Sequence, residues 1–176
     1  DSSWSPNVSG TMADLRSIWG VDSSNIWVAG SQGTILQWSG RSWGLQPSGT
    51  MANLWSIAGV DADNVWALGD NGLLLQQKNL LWEQLADQDK SIEWPNPGAT
   101  GITITVNKSN VRQQILAAGT NVLSYESNKH WYHDSGDHVT HGTVAIWAFD
   151  TNNIWAVGTN GRIFKRSGTE WTQRNI

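Results

Sequence analysis

Apolar and polar positions alternate in short runs along most of this chain, each run closed by Gly, Asn, Asp or Ser. A period of two with turn residues at every break reads as β-strand. No segment sustains a 3.6-residue apolar period, and Gly recurs too often for helix. The runs come in sets of three or four. Strand A is LRSIWGV (15–21), LWSIAGV (54–60), ITITV (102–106) or VAIWAF (144–149). Strand B is NIWVAG (25–30), NVWALG (64–69), ILAAG (115–119) or NIWAVG (153–158), and strand C is TILQW, LLLQQ, VLSY or RIFKR. A polar turn then leads to the Trp that opens strand D.

Two kinds of punctuation repeat with the strands. Between A and B stand Asp22 and Asn25, Asp61 and Asn64, Asp150 and Asn153, with Asn107 and Asn110 in the third set. Their side chains bond nearby backbone amides and tolerate left-handed geometry, which suits a tight corner. Between B and C stand Gly30 and Gly33, Gly69 and Gly72, Gly158 and Gly161. A hairpin there needs positive φ, which Gly adopts freely.

Aligning the sets reveals one unit in four copies, at about 4–43, 43–82, 82–131 and 131–171, expected to form a single domain over 1–176. The first two align without a gap at a period of 39, and the last spans 40. The third spans 49, with an insertion at 87–100 and extra residues around 111–114. Four-stranded units of about forty residues describe the blades of an all-β propeller. A blade cannot bury both faces alone, so most of the repeated Trp, Ile and Val are expected between blades. The chain has four A–B–C sets but five candidate D strands, opening near Trp4 and ending near Trp171. Three arrangements stay open: a four-bladed ring, a larger ring made from several chains, or part of a longer propeller.

Composition narrows the chemistry. Only 15% of the 176 residues are charged, and the formal net charge is −4. The eleven Lys and Arg are scattered, so nucleic acid is not an expected partner. With no Cys, neither a disulfide scaffold nor a thiolate metal site can form. No apolar run reaches bilayer-spanning length, so membrane insertion is not expected. The chain opens at Asp1 without a signal-peptide pattern, suggesting a processed or excerpted start. A secreted, extracellular setting is the expectation.

Loops D–A and B–C share one edge of a propeller, the usual ligand edge. Here they are small and polar, with Asp70, Asn71, Asn121 and Asn160 in the B–C turns. Trp55 and Arg16 hold equivalent places at the start of strand A. An indole beside amides suits a sugar, stacking on its C–H face, although turn chemistry alone accounts for any single one of these residues. Trp94, inside the insertion, reads equally as a recognition aromatic or as a cap over the third unit. All four His fall between 130 and 141, making His138 and His141 the weak metal candidates, but a polar outer strand and loop explains them as well. No nucleophile elbow, recurrent carboxylate pair or Cys nucleophile is present, so no enzyme and no cofactor are expected.

The unit, with its Ser-Gly-Thr loop at 9–11 and 48–50, its "Asn-Ile/Val-Trp" strand and its Gly turn, resembles the repeat of tectonin-type β-propeller lectins. It is more loosely similar to the short repeats of photosystem-assembly-factor and sialidase-like propellers, without their Asp-box hairpin. The tectonin resemblance implies a non-enzymatic, multivalent lectin for glycans or glycoproteins; the looser one implies a protein-binding scaffold. Either is compatible with a homo-oligomer.

Overall fold

A computed structural model describes residue 3 and residues 5–85, 101–107, 112–118, 122–125, 131–133, 143–150, 152–168 and 170–174; over 101–133 and 143–144 it describes the backbone alone. Trp94, Asn121, His138 and His141 lie outside the described residues.

Among the described residues, sixteen strands form four antiparallel sheets of four, each in simple sequence order. Blade 1 comprises β1 (Leu15–Asp22), β2 (Asn25–Gly30), β3 (Ile35–Trp38) and β4 (Trp43–Gln46). Blade 2 comprises β5 (Leu54–Asp61), β6 (Asn64–Gly69), β7 (Leu74–Lys78) and β8 (Leu81–Gln84). Blade 3 is β9 (Gly101–Asn107), β10 (Arg112–Ala118), β11 (Val122–Tyr125) and β12 (Trp131–His133). Blade 4 is β13 (Thr143–Asp150), β14 (Asn153–Gly158), β15 (Ile163–Ser167) and β16 (Glu170–Arg174). The innermost strands pack side by side, β1 on β5, β5 on β9 and β9 on β13, which is the stacking of propeller blades.

The A–B corners of blades 1, 2 and 4 are built as their residue types dictate; that of blade 3 lies outside the described residues. Asp61 accepts the Asp63 amide at 3.0 Å and the Asn64 side-chain amide at 2.9 and 3.1 Å. Asp22 and Asp150 repeat the arrangement with Asn25 and Asn153. The Asn25 amide and the Ser24 backbone N–H hold the Asp22 carboxyl below its ordinary value, and Asn153 and Asn152 do the same for Asp150. In blades 1, 2 and 4 the A–B ladder is bulged near both ends. Blade 3 is not: Arg112, Gln113 and Gln114 pair with Asn107, Val106 and Thr105. The extra residues of the third unit therefore lengthen its second strand.

The core lies between sheets. Trp27, Ala29 and Ile35 of blade 1 cluster with Leu54, Ile57, Val65, Ala67, Leu75 and Trp82 of blade 2. Gly59 makes the fit possible, since a Cβ there would sit 2.5 Å from the Trp19 ring. Blade 4 turns Ile146, Ile154, Ala156, Phe164 and Trp171 inward as a second cluster.

Of the two terminal D strands that could complete the last blade, the C-terminal one does so. Residues 5–9 form no strand, Trp4 is not described, and blade 4 is completed by its own β16. Among the described residues, β13 and β1 do not pack on each other as neighbouring inner strands do, so over these residues the four blades form an open arc.

Candidate functional site

In blades 1 and 2 the D–A loops and B–C turns do meet on one edge. In blade 1 the Ser9 hydroxyl donates to the Thr11 carbonyl at 3.3 Å, and the Ala13 N–H donates to Thr11 Oγ1 at 3.1 Å. Ser48, Thr50 and Ala52 repeat these bonds in blade 2 at 3.3 and 3.1 Å. The Ser-Gly-Thr hydroxyls thus hold their own loops in shape. In blades 1, 2 and 4 the B–C connection is a short 3-10 turn whose middle residue is left-handed: Gln32 at φ 56°, Asn71 at 54° and Asn160 at 59°. Asn is among the few side chains that tolerate this region, which gives Asn71 and Asn160 a backbone role at these turns.

Three of the residues singled out in the sequence converge between blades 1 and 2. The Arg16 guanidinium lies 4.3 Å from the centroid of the Trp55 ring, a cation–π contact. The Trp55 indole N–H donates to Asp70 Oδ1 at 2.6 Å. Asn53 donates to Asp70 Oδ2 twice, from its backbone at 3.1 Å and its side chain at 3.0 Å. Arg16 also pairs with Asp14 at 3.8 Å. Burial pushes the Asp70 carboxyl up, but the bonds from Trp55 and Asn53 and the charge of Arg16 outweigh it and hold the group below its ordinary range.

This arrangement changes what Trp55 offers. One indole face is covered by Arg16 and its N–H is committed to Asp70, so that face is not a free platform for stacking. Asp70 repeats the position of Ser31, whose hydroxyl receives the Asp14 N–H at 3.0 Å. The carboxylate accordingly fastens a strand start as Ser31 does, and adds the bond to Trp55.

Two features of this edge escaped the sequence reading. Asn53 is the partner that fixes Asp70. Among the described loop residues, two apolar side chains at repeated positions stand exposed, Met12 at 101% and Met51 at 77%. Their signal was present in Gly-Thr-Met-Ala at 10–13 and 49–52, a Met repeated at a loop tip where no core demands it. Beside Met12 lies an open cleft of about 380 Å³, lined also by Thr11, Asp14, Ser31 and Gln32. Among the described residues, no three His, Asp or Glu side chains come together as a metal site would require.

No protein-family model matches this chain, and no curated protein matches it. Solved structures do. The chain is similar to the computationally designed Ika4 protein, with a TM-score of 0.68 and 11% identity, covering 92% of this chain and 95% of that one. It is similar to YCF48 bound to D1 peptide, with a TM-score of 0.59 and 12% identity, over 91% of this chain and 52% of that one. It is also similar to the WD40 β-propeller domain of Doa1, with a TM-score of 0.52 and 13% identity, over 91% and 68%. The chain therefore spans about half the length of the YCF48 chain. At these identities the likeness shows the fold: the chain is a β-propeller scaffold.

Proposed function

We propose that the chain is a non-enzymatic binding propeller whose D–A/B–C edge docks a segment of another protein. The observation that carries this reading is the pair Met12 and Met51, repeated on adjacent blades and exposed beside the Arg16–Trp55–Asp70 cluster. Unbranched thioethers adapt to irregular apolar partners, and exposed apolar side chains grouped on one edge are a mark of protein contact. The charged groups beside them, Arg16 and Asp14, suit the polar rim of such an interface. That a propeller of similar fold is solved as YCF48 bound to D1 peptide is in keeping with a peptide ligand.

The test is a random-peptide phage library panned on the wild-type chain, with enriched peptides then titrated against Met12→Glu and Met51→Glu. The proposal expects a common apolar anchor among the peptides and at least a tenfold loss of affinity in either variant. Peptides that bind both variants as tightly as wild type would refute it.

A glycan-binding reading keeps one supporting observation, the polar cleft of about 380 Å³ lined by hydroxyl and amide groups. Binding on a glycan array that is lost in Gln32→Ala and unaffected in Met51→Glu would favour that reading over the first.

A further inference from the structure

Blades 1 and 2 show what a complete junction looks like. Blade 1 presents Trp27, Ala29 and Ile35, each 0% exposed, to Leu54, Ile57 and Leu75 of blade 2, none more than 3% exposed. At the rim, the B–C turn of blade 1 docks on the D–A loop of blade 2. The Gly33 N–H donates to the Ala52 carbonyl at 2.7 Å, and the Gln32 N–H to Asn53 Oδ1 at 3.4 Å.

Both halves of this junction recur, partly uncovered, at the two ends of the arc. On the outer face of blade 4, Trp155 is the counterpart of Trp27 and Trp66, which are 0% and 1% exposed, yet it is 38% exposed. Val157 is the counterpart of Ala29 and Leu68, both 0%, and is 44% exposed; Trp147 beside them is 58% exposed. On the outer face of blade 1, Ile18 is the counterpart of Ile57 at 3% and Ile146 at 8%, and is 66% exposed. Leu15, matching the fully buried Leu54, is 44% exposed. Val28 and Leu36 in the middle of that face stay buried, so the opening runs along the inner strand.

The rim repeats the contrast. Gly161 has the left-handed φ of Gly33, 69° against 67°. A Cβ on Gly33 would fall on the Thr50 carbonyl oxygen of the docked loop, whereas a Cβ on Gly161 would meet nothing within 4 Å. The matching receptor loop, residues 11–14, borders the open cleft.

The geometry points to a second copy of this chain as the occupant of both faces, giving an eight-bladed ring from two copies. The chain itself carries each half of the junction in a form that its interior shows to be complementary. Blade 4 of one copy docks on blade 1 of the other, and the reverse junction follows by a twofold axis through the ring centre. Such head-to-tail contacts either close or polymerise. Two copies of four blades close within the four-to-eight range of propellers, and three copies exceed it. The inference concerns how the scaffold is completed and does not rest on which ligand it binds.

The test is mass by light scattering across a dilution series, on the chain and on Ile18→Arg and Val157→Arg, which place a cation on opposite halves of the junction at already exposed positions. One copy has a mass of 19.4 kDa. The expected result is twice that mass for the wild type and a single-copy mass for each variant, with circular dichroism unchanged. Leu80→Arg, on the β7–β8 turn away from both faces, is expected to keep the doubled mass. A wild type that stays at the single-copy mass, an open-ended series of masses, or variants as dimeric as the wild type would each overturn the proposal. If one variant fails to fold, the other carries the test, since each face is required.

Discussion

Replacing Gly33 with Ala probes the joint between blades most sharply. Two costs combine there. The backbone is held at φ 67°, where a Cβ costs roughly 1 kcal/mol relative to Gly. The added methyl would also fall on the Thr50 carbonyl oxygen and lie 2.8 Å from Ser48 Oγ, neither of which is the free end of a long side chain. The turn must lift away, breaking the Gly33 N–H bond to the Ala52 carbonyl, a loss of about 1 kcal/mol, and loosening the packing above it by about as much again. The sum is about 3 kcal/mol, which for a chain of this size lowers Tm by roughly 6–12 °C. The control is Gly161→Ala, with the same φ and no neighbour, costing roughly 1 kcal/mol. Both melts are followed by far-UV circular dichroism with Ile18→Arg also present, so that a single copy is measured. Equal Tm losses for the two Ala substitutions would refute the reasoning, because only backbone strain would then be acting.

The same internal comparison sets further expectations. Leu68→Ala, at a fully buried position between blades 2 and 3, should cost about 2–5 kcal/mol, while Val157→Ala in the dissociated chain should cost under about 1 kcal/mol; comparable denaturant midpoints would contradict the open arc. Asp70 is held below its ordinary value of 3.8, so its stabilisation is fully present above that pH and fades as pH falls through the lowered folded value. Asp70→Asn should therefore be less stable than wild type at neutral pH and show a shallower loss on acidification below about pH 4. Thermal melts between pH 2 and 7 that run parallel for the two proteins would show that the Trp55 and Asn53 bonds contribute nothing.

How much of this was legible in the sequence follows from the range of each interaction. The strands, and in blades 1, 2 and 4 the Asp–Asn corners and Gly turns, are set by residues within a few positions of one another and lie where the alternation put them. Of the paired turn glycines, only Gly33, Gly72 and Gly161 take the expected positive φ, while Gly30, Gly69 and Gly158 are extended. Arg112–Gln114 looked like surplus beside the other units, yet a strand can lengthen without changing its period, and β10 absorbed them. Asn71 and Asn160 were weighed as ligand groups, while their left-handed turns give them a local reason to be Asn. Trp55 was singled out as a recognition aromatic, but its surroundings come from Arg16, 39 positions earlier, and from Asp70 across a hairpin. No local pattern reports that the ring face is covered. Ring closure is the most distant property of all, and only the unequal exposure of equivalent residues such as Trp27 and Trp155 exposes it.

The absence of Cys from the chain permits a direct test of how the arc is completed. Gln32 and Asn53 mark the internal junction, and their counterparts at the open ends are Asn160 and Asp14. A chain carrying Asp14→Cys and Asn160→Cys is treated with a short bifunctional maleimide and resolved on a denaturing gel. The account predicts a covalent dimer at twice 19.4 kDa, abolished by Ile18→Arg. A cross-link confined within single chains would mean that the four blades close on themselves. The absence of any cross-link would mean that blade 4 and blade 1 never meet, and either result contradicts the ring of two copies.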